Sequence, residues 1–122
     1  MKIMYSTATD PALNLAYEDY LLRQSHISEP ILLLWQNTPS VIIGRSQNPH
    51  QEIDLKYINE HSIPWLRRQS GGGTVYHDCG NLNLSFITQR ADFNRQRNHQ
   101  WLIDHFKTLG IDLFANDRGD LL

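Results

Sequence analysis

Three consecutive glycines, Gly71 to Gly73, constrain this chain more than any other feature of its sequence. Glycine has no Cβ, so the backbone of such a loop can take positive φ angles and approach a bound group closely. Arg67 and Arg68 come just before the loop, and a strand-like pattern resumes at 74–77. Exposed backbone N–H groups and guanidinium donors together suit phosphate or carboxylate. The segment predicts an anion-binding loop between two strands, and a plain glycine hairpin with surface arginines is the alternative.

The loop differs from two common phosphate-binding motifs. A Walker A loop ends in Gly-Lys-Ser/Thr, and the dinucleotide fingerprint reads Gly-x-Gly-x-x-Gly. Neither pattern occurs at residues 67–81. The sequence therefore excludes both motifs and indicates a different kind of anion site.

Composition narrows the class of protein. The 122 residues suffice for one domain with one core. A formal net charge of −2 gives no support for a basic nucleic-acid-binding face, and a single cysteine fits a reducing compartment. The longest apolar run, Ile31 to Trp35, is far too short to span a bilayer, and no export signal follows Met1. We therefore expect a cytoplasmic protein that binds neither nucleic acid nor membrane.

The spacing of apolar residues predicts a chain that mixes helices and strands. Strands are expected at 2–5, 30–35, 41–43, 64–68, 74–77, 81–86 and 111–115, and helices from Pro11 to 25–28, at 53–61 and at 98–109. The strands at 30–35 and 41–43 are expected to pair as a hairpin, because a turn-forming segment separates them. Helices packed on a mostly antiparallel or mixed sheet make an α+β fold.

Two helices carry an apolar stripe at helical spacing. The stripe of the first helix consists of Leu13, Ala16, Tyr17, Tyr20 and Leu21. The stripe of the last helix consists of Leu102, Phe106 and Leu109, and Gly110 is expected to end that helix. Both stripes are expected to face the core. Asn14 and Glu18 lie off the first stripe and are expected on its polar side.

The segment 67–86 resembles the signature of lipoate–protein ligases, whose usual form is RRxSGGGxVxHDxGN. Segments 14–19, 35–37 and 41–49 also resemble parts of that family, so the resemblance covers nearly the whole chain. It implies a biotin/lipoate ligase-like fold, shared with class II aminoacyl-tRNA synthetase cores. Members of the family are longer. The resemblance therefore implies that residues 1–122 are the amino-terminal portion of the catalytic domain, an incomplete fold without a second domain.

The family resemblance also implies a reaction. Lipoate is activated by ATP and Mg²⁺ to lipoyl-AMP, and the lipoyl group is then transferred to a lysine of an acceptor. The implied acceptors are the lipoyl domains of 2-oxoacid dehydrogenase complexes or the glycine-cleavage H protein. Activation brings a carboxylate and a phosphate together, so the enzyme must neutralise and align two anions. An arginine beside a glycine loop fits that need.

The resemblance places the site residues by position. Arg68 is expected to be catalytic and to contact the nucleotide. Further nucleotide contacts are expected from Gly73, Thr74, Val75, Tyr76 and Asn81, and lipoate contacts from Leu15, Tyr17, Trp35, Ser70 and His77. Asp120 matches an aspartate of the family's Arg-Asn-Asp-Leu segment and is a candidate Mg²⁺ ligand. Gly119 stands where that segment has asparagine, so one metal or phosphate contact is in question.

Two other functions stay open on the sequence. A non-catalytic remnant would bind lipoate or nucleotide without turnover, because the lysine expected from the family lies outside these residues. An ATP-independent octanoyl or lipoyl acyltransferase would need a cysteine nucleophile, and Cys79 is the sole cysteine. We expect Cys79 to be a small buried thiol instead.

Incompleteness leads to one more expectation. Leu113 and Leu121 are apolar residues whose covering sheet is expected outside these 122 residues. Uncovered apolar surface and open sheet edges favour association. The chain by itself is therefore expected to be marginally stable, to self-associate and to form no lipoyl-AMP.

Overall fold

Strand β2 (Ile31–Trp35) is the centre of one three-stranded sheet in the computed structural model. It pairs in parallel with β1 (Lys2–Tyr5) and antiparallel with β6 (Asn83–Ile87). Its continuous apolar sequence suits a strand with neighbours on both edges. Leu33 and Trp35 are buried within it. This confirms the buried strand predicted here from the sequence.

Strand β3 (Ser40–Ile43) is the centre of a second three-stranded sheet. It pairs in parallel with β4 (Trp65–Arg67) and antiparallel with β5 (Val75–His77). The hairpin expected between the second and third strands is therefore wrong, because β2 and β3 belong to different sheets. Both edges of β2 are occupied by partners that no local turn signal reveals. Two pairings are parallel and two antiparallel, so both sheets of this α+β fold are mixed.

Helix α1 (Pro11–Leu22) begins where the sequence predicts. Asp10 is its N-cap, and the carboxylate accepts hydrogen bonds of 2.7 and 3.2 Å from backbone N–H groups of the first turn. Arg23 is the C-cap, so the helix ends before the predicted limit at 25–28. Residues 25–27 themselves lie outside the described part of the chain, which comprises 1–24, 28–117 and 119–122.

The buried face of α1 differs from the predicted apolar stripe. Leu21 is buried as expected, but Leu13 and Tyr20 are 61% and 60% exposed. Asn14, predicted on the polar side, is only 1% exposed. A buried amide is tolerated when its donors and acceptor are satisfied, and those of Asn14 are. Periodicity alone cannot reveal such a polar anchor.

In the described residues, three further α-helices follow α1, and one turn of 3₁₀ helix (Arg90–Asp92) precedes the last of them. The α-helices are α2 (Pro49–Glu52), α3 (Leu55–Glu60) and α4 (Arg95–Thr108). Each is preceded by a side chain that accepts a hydrogen bond from its first turn, and these caps are Asn48, Asp54 and Asn94. The helices predicted at 53–61 and 98–109 are confirmed with shifted ends. The single turn of α2 is too short for a periodic pattern and escaped prediction.

The described residues form two compact units, Met1–Thr88 and Gln89–Leu122. In the second unit, Leu102 of α4 is buried as predicted. The prediction that Leu109 faces inward is wrong, because its side chain is 73% exposed. Leu109 is the C-cap residue, and Gly110 ends the helix with φ of +77° as predicted.

The last predicted strand, at 111–115, does not form. In the described residues after α4, a single bridge joins Ala115 to Leu121. Backbone hydrogen bonds between Phe114 and Leu122 lie beside that bridge, at 2.9 Å in both directions. The apolar sequence of this segment resembles a strand, but a strand also needs a ladder of partners.

The core of the first unit lies between α1 and the sheet centred on β2. Its buried cluster consists of Leu21, Leu33, Trp35 and Ile87. Leu15 and Tyr17 are partly buried and pack against that cluster. No helix in the described part of the chain is long and apolar enough to cross a membrane.

Candidate functional site

The glycine loop crosses the end of β3. Because β4 leads into the loop and β5 leads out of it on the two sides of β3, the loop must pass over Gly44. A Cβ added to Gly44 would lie 2.1 Å from the carbonyl oxygen of Gly72, which is a severe overlap. The N–H of Arg45 donates to the carbonyl of Ser70 at 3.0 Å. Gly44 therefore sets the position of the loop, a role that sequence reasoning missed.

The loop leaves backbone donors available. Gly72 has φ of +100°, a conformation that favours glycine. Among the described residues, none accepts a hydrogen bond from the N–H groups of Gly71, Gly72 or Gly73. All three glycines are exposed. The loop therefore has the free backbone donors that an anion-binding concavity needs.

Arg68 stabilises the glycine loop by donating hydrogen bonds to its carbonyls. Its Nε and Nη2 donate to the carbonyl of Gly71 at 3.2 and 2.8 Å, and Nη2 also donates to that of Gly73 at 2.8 Å. Nη1 reaches the carbonyl of Ile42 at 3.4 Å. These bonds use four of the five N–H groups of a guanidinium. Arg68 thus shapes the loop and keeps one donor, with its positive charge, for a ligand.

Arg67 has a different task. Its Nη1 donates to the carbonyls of Gly44, Arg45 and Gln47 at 3.2, 3.0 and 2.6 Å. These carbonyls belong to the segment that follows β3. Two adjacent arginines therefore hold two different loops. Of the two, Arg68 is the one that contacts the glycines.

A cavity of about 200 Å³ lies below the loop, and we call it the Trp35 cavity. Its wall combines apolar side chains with one cation, one carboxylate and several hydrogen-bonding groups. The lining residues are Leu15, Glu18, Trp35, Ile42, Arg68, Ser70, Val75, His77 and Asn83. Four of the five residues predicted to contact lipoate therefore meet here. The fifth, Tyr17, packs against the core cluster and is not among the lining side chains.

Glu18 and Ser85 fix the orientation of Trp35. The indole Nε1–H donates to Ser85 Oγ at 2.9 Å, and that hydroxyl donates to Glu18 Oε1 at 2.5 Å. Glu18 also lines the Trp35 cavity. Sequence reasoning placed Glu18 on the polar side of α1 and missed this role. The sequence carries no local signal of this role, because Ser85, the partner of Glu18, is 67 residues away in the chain.

His77 is buried in the wall of the Trp35 cavity, at 8% exposure. Its ring meets Trp35 edge to face, with centroids 5.8 Å apart and planes at 72°. Nδ1 lies 3.0 Å from Asn37 Nδ2. Burial, and then the positive charge of Arg68, lower the pKa of His77 below its usual range. The imidazole is therefore held neutral near pH 7.

A second cavity, of about 440 Å³, lies against β3, β5 and the segment 52–63, and we call it the Tyr57 cavity. Its lining residues are Val41, Glu52, Ile53, Asp54, Tyr57, Ile58, Ile63, Thr74, Val75 and Tyr76. Three of the predicted nucleotide contacts thus share this wall, and Val75 lines both cavities. Thr74 Oγ1 lies 2.8 Å from Gln47 Oε1 and 3.3 Å from Glu52 Oε2.

Gly73 and Asn81 complete the predicted nucleotide contacts. Gly73 offers a free N–H, while its carbonyl accepts from Arg68. Asn81 is exposed, and its amide donates to Asn83 Oδ1 at 3.0 Å. Asn83 in turn lines the Trp35 cavity. Asn81 therefore does not line the Trp35 cavity itself but contacts Asn83, which does.

Asp120, the candidate magnesium ligand, lies in the second unit and is exposed. Its carboxylate accepts a hydrogen bond from Asn116 Nδ2 at 3.0 Å. The described residues contain no group of three or more His, Cys, Asp or Glu side chains that could hold a metal ion. Asp120 therefore offers a single carboxylate, and no cluster of such side chains surrounds it among the described residues.

Cys79 is exposed, so the expectation of a buried thiol is wrong. It lies in a turn that Asp78 closes, where Asp78 Oδ1 accepts from the N–H of Gly80 at 2.8 Å. Gln36 Nε2 donates to the carbonyl of Cys79 at 2.9 Å. The turn thus directs the side chain outward, and Cys79 is not among the residues that line either cavity.

One named relative is similar to nearly the whole chain. The chain is 43% identical over 123 residues to the human protein named mitochondrial lipoyl amidotransferase LIPT1. That match covers 98% of this chain and 33% of the human protein. The chain thus spans about a third of the length of this relative.

Two solved structures share the fold. LipL1 of P. falciparum, solved in complex with lipoate, superposes with a TM-score of 0.90 at 31% identity, over 98% of this chain and 40% of that one. A lipoate-protein ligase A bound with ATP superposes with a TM-score of 0.84 at 30% identity, over 95% of this chain and 49% of that one. These likenesses confirm the biotin/lipoate ligase-like fold.

The model of one protein family matches nearly the whole chain. It describes the lipoyl protein ligase A/B catalytic domain, and it matches residues 10–122. The glycine loop, both arginines and the Trp35 cavity all lie inside the matched range. This chain belongs to the family of the lipoyl protein ligase A/B catalytic domain.

Proposed function

We propose that this chain contributes the lipoate-binding and phosphate-binding surface of an enzyme that attaches lipoate to proteins. The proposed reaction starts from lipoate and ATP and forms lipoyl-AMP with release of pyrophosphate. A lysine amine of a lipoyl-acceptor domain then attacks the acyl carbon, which forms the amide and releases AMP. The observation that carries this proposal is the Trp35 cavity. It joins an apolar wall to the one cation, Arg68, among its described lining residues.

The chemistry of lipoate fits that cavity at both ends. A dithiolane ring and hydrocarbon chain favour contact with the apolar side chains of Leu15, Trp35 and Ile42. The carboxylate favours the guanidinium of Arg68, since charge-assisted hydrogen bonds are the strong ones. The likeness to LipL1 in complex with lipoate supports the same assignment.

Activation requires the carboxylate to attack the α-phosphorus of ATP, with departure of pyrophosphate. The free N–H groups of the glycine loop can orient the phosphate, and the positive charge of Arg68 attracts both anions. A preorganised set of donors lowers the barrier because it needs no reorganisation as charge develops. Mg²⁺ would supply further charge neutralisation, and the described residues contain no group of three or more His, Cys, Asp or Glu side chains that could hold it by themselves.

A lipoyl amidotransferase is the second candidate, because the human relative at 43% identity carries that name. An amidotransferase takes the lipoyl group from an existing amide. It therefore needs the lipoyl cavity but no nucleotide. The lipoyl group that it transfers is already an amide, as it is in the product, so its carboxyl group needs no activation by ATP. ATP binding separates the two functions.

Ligand titrations followed by NMR test the proposal on this chain. The Trp35 indole N–H is the reporter for lipoate, and the N–H groups of Gly71 to Gly73 report on ATP. The ligase hypothesis predicts saturable chemical-shift changes at the Trp35 indole with lipoate and at the glycine-loop N–H groups with ATP. Lipoate binding without ATP binding would favour the amidotransferase, and no shift of the Trp35 indole at millimolar lipoate would contradict both.

Arg68→Ala is the variant that sharpens this test. We expect the fold to persist and ATP and lipoate binding to weaken by about 10-fold or more, since a hydrogen bond to a charged group contributes roughly 1.5–3 kcal/mol. Arg68→Lys keeps the charge but not the fork, and should recover part of the affinity. Arg67→Ala is the matched control, because Arg67 holds the neighbouring loop. Equal losses for Arg67→Ala and Arg68→Ala would show that the glycine-loop arginine has no special role.

A further inference from the structure

Three polar side chains form a buried row that leads to the Trp35 cavity. Asn14, Asn37 and His77 are 1%, 0% and 8% exposed. Asn14 Nδ2 donates to Asn37 Oδ1 at 2.9 Å, and Asn37 Nδ2 lies 3.0 Å from His77 Nδ1. The row begins at Ser6, whose hydroxyl donates to Asn14 Oδ1 at 2.5 Å. It connects the amino-terminal segment, α1, the turn after β2, and β5.

The direction of every hydrogen bond in this row follows from two backbone carbonyls. Asn14 Nδ2 also lies 3.1 Å from the carbonyl of Ala8 and 2.8 Å from that of Gln36. Carbonyl oxygens only accept, so this side of the Asn14 amide must be its nitrogen. Asn37 must then accept through Oδ1, which directs its own Nδ2 at His77. Nδ1 of His77 is therefore the acceptor, and the ring proton is on Nε2.

We propose that Asn14 and Asn37 are positioning residues that hold His77 as the Nε2-protonated neutral tautomer, and that this N–H is a hydrogen-bond donor to the acyl substrate in the Trp35 cavity. The part that concerns the substrate rests on the proposed function. The part that concerns the tautomer rests only on the geometry of the row.

His77 Nε2 is available for such a contact. It makes no hydrogen bond within the described residues, whereas no fully buried side-chain nitrogen or oxygen among them lacks a partner. Nε2 must therefore reach open space, and the ring lines the Trp35 cavity. The charged groups that share this cavity with it are Arg68 and Glu18.

A neutral donor suits a carboxylate that has to react as a nucleophile. Arg68 already supplies one positive charge to the cavity. A second cation would stabilise the free carboxylate further and so raise the barrier to its attack. An N–H without charge orients the carboxylate oxygen at a smaller cost in reactivity. The row thus specifies the protonation state as well as the position of His77.

The tautomer can be observed directly by long-range ¹H–¹⁵N correlation NMR of the histidine rings at pH 7 to 8. The His77 signals are assigned by their loss in His77→Gln. We expect an unprotonated Nδ1 and a protonated Nε2 in the parent chain. The opposite tautomer, or a ring protonated on both nitrogens, would overturn the proposal without the need for any further variant.

Asn37→Asp tests whether the row imposes this state. The carboxylate has the shape of the amide but only accepts, so Nδ1 must become protonated and the pKa of His77 must rise relative to the parent chain. Asn59→Asp adds the same charge at an exposed position of α3 and should leave the His77 ring unchanged. An Asn37→Asp chain that folds and keeps an unprotonated Nδ1 would refute the positioning role.

The substrate contact has its own readout. At a pH where the Asn37→Asp ring is neutral and protonated on Nδ1 alone, Nε2 has no proton to donate, and lipoate should bind about 10-fold more weakly, as expected for one lost hydrogen bond to a charged group. Unchanged lipoate affinity would refute the proposed contact with substrate but would not contradict the proposed tautomer. Failure of the parent chain to bind lipoate at all would instead contradict the proposed function.

Discussion

The two units of the chain differ in how their structure arises. In Met1–Thr88, the side chains that line the Trp35 cavity come from α1, β2, β3, the glycine loop, β5 and β6, which are far apart in sequence. In Gln89–Leu122, the backbone hydrogen bonds of α4 are local. Among the described residues of that unit, Leu102 is the one large apolar side chain that is buried. Leu109 and Phe114 there are 73% and 63% exposed. The candidate site therefore depends on long-range packing, whereas the described residues of the second unit bury little large apolar side-chain surface.

A pair of leucine substitutions tests this contrast with the largest expected effect. Leu33, in the centre of β2, has no exposed surface, so Leu33→Ala should lower the free energy of unfolding by about 2–5 kcal/mol. Leu109→Ala, at the exposed C-cap of α4, should change it by less than about 0.5 kcal/mol. Denaturant unfolding curves of both variants give the comparison. Similar losses at the two positions would show that the second unit is packed as tightly as the first.

A pair of glycine substitutions asks how tightly the first unit constrains its loop. The Cβ in Gly44→Ala meets the carbonyl oxygen of Gly72, so the loop or β3 must move, at a cost of about 1–3 kcal/mol. Gly71→Ala places its Cβ in open space at a position without positive φ, and should change the free energy of unfolding by less than about 1 kcal/mol. Unfolding curves measure the energies, and NMR shifts of Gly72 and Arg68 report the displacement. A neutral Gly44→Ala would mean that the loop does not rest on β3.

Sequence reasoning succeeded where a residue type has one physical use. Asp10 before Pro11 fixed the start of α1, and Gly110 fixed the end of α4. The glycine loop was recognised for the same reason, because φ of +100° at Gly72 is accessible mainly to glycine. Such signals depend on the local backbone, so they hold whichever segments pack against them.

Long-range requirements were not readable in the same way. Gly44 directly follows the strand predicted at 41–43, and only the passage of Gly72 above it explains why this position requires glycine. Asn14 looked like a surface residue, because its acceptors come from Ala8, Gln36 and Asn37. A polar side chain flanked by apolar residues on one helix face is the only hint that the sequence offers.

The buried position of His77 also predicts a pH dependence of stability. Its pKa is lowered by burial first and by Arg68 second, so between that pKa and the ordinary value of 6.5 the unfolded chain binds a proton that the folded chain does not. The free energy of unfolding should therefore decrease as the pH falls through this window, by at most about 1.4 kcal/mol per pH unit from this group. It should be recovered as the pH rises above 6.5.

His77→Gln should remove that part of the slope, whatever it does to stability itself. His50→Gln changes an exposed histidine of α2 and is the control for a general loss of titratable charge. Denaturant unfolding at a series of pH values between 5 and 8 provides the slopes. A parent chain whose stability falls as the pH rises through this range would contradict the lowered pKa.

Cys79 gives the smallest expected effect. Its side chain is exposed, lies in the turn that Asp78 closes, and lines neither cavity. Cys79→Ser should therefore change the free energy of unfolding by less than about 0.5 kcal/mol and leave lipoate binding at the Trp35 indole intact. The acyltransferase alternative requires the opposite, because a cysteine nucleophile would form a thioester with the acyl group. Mass spectrometry of the parent chain after incubation with an activated octanoyl or lipoyl donor decides the matter, since a thioester on Cys79 that Cys79→Ser abolishes would restore that alternative.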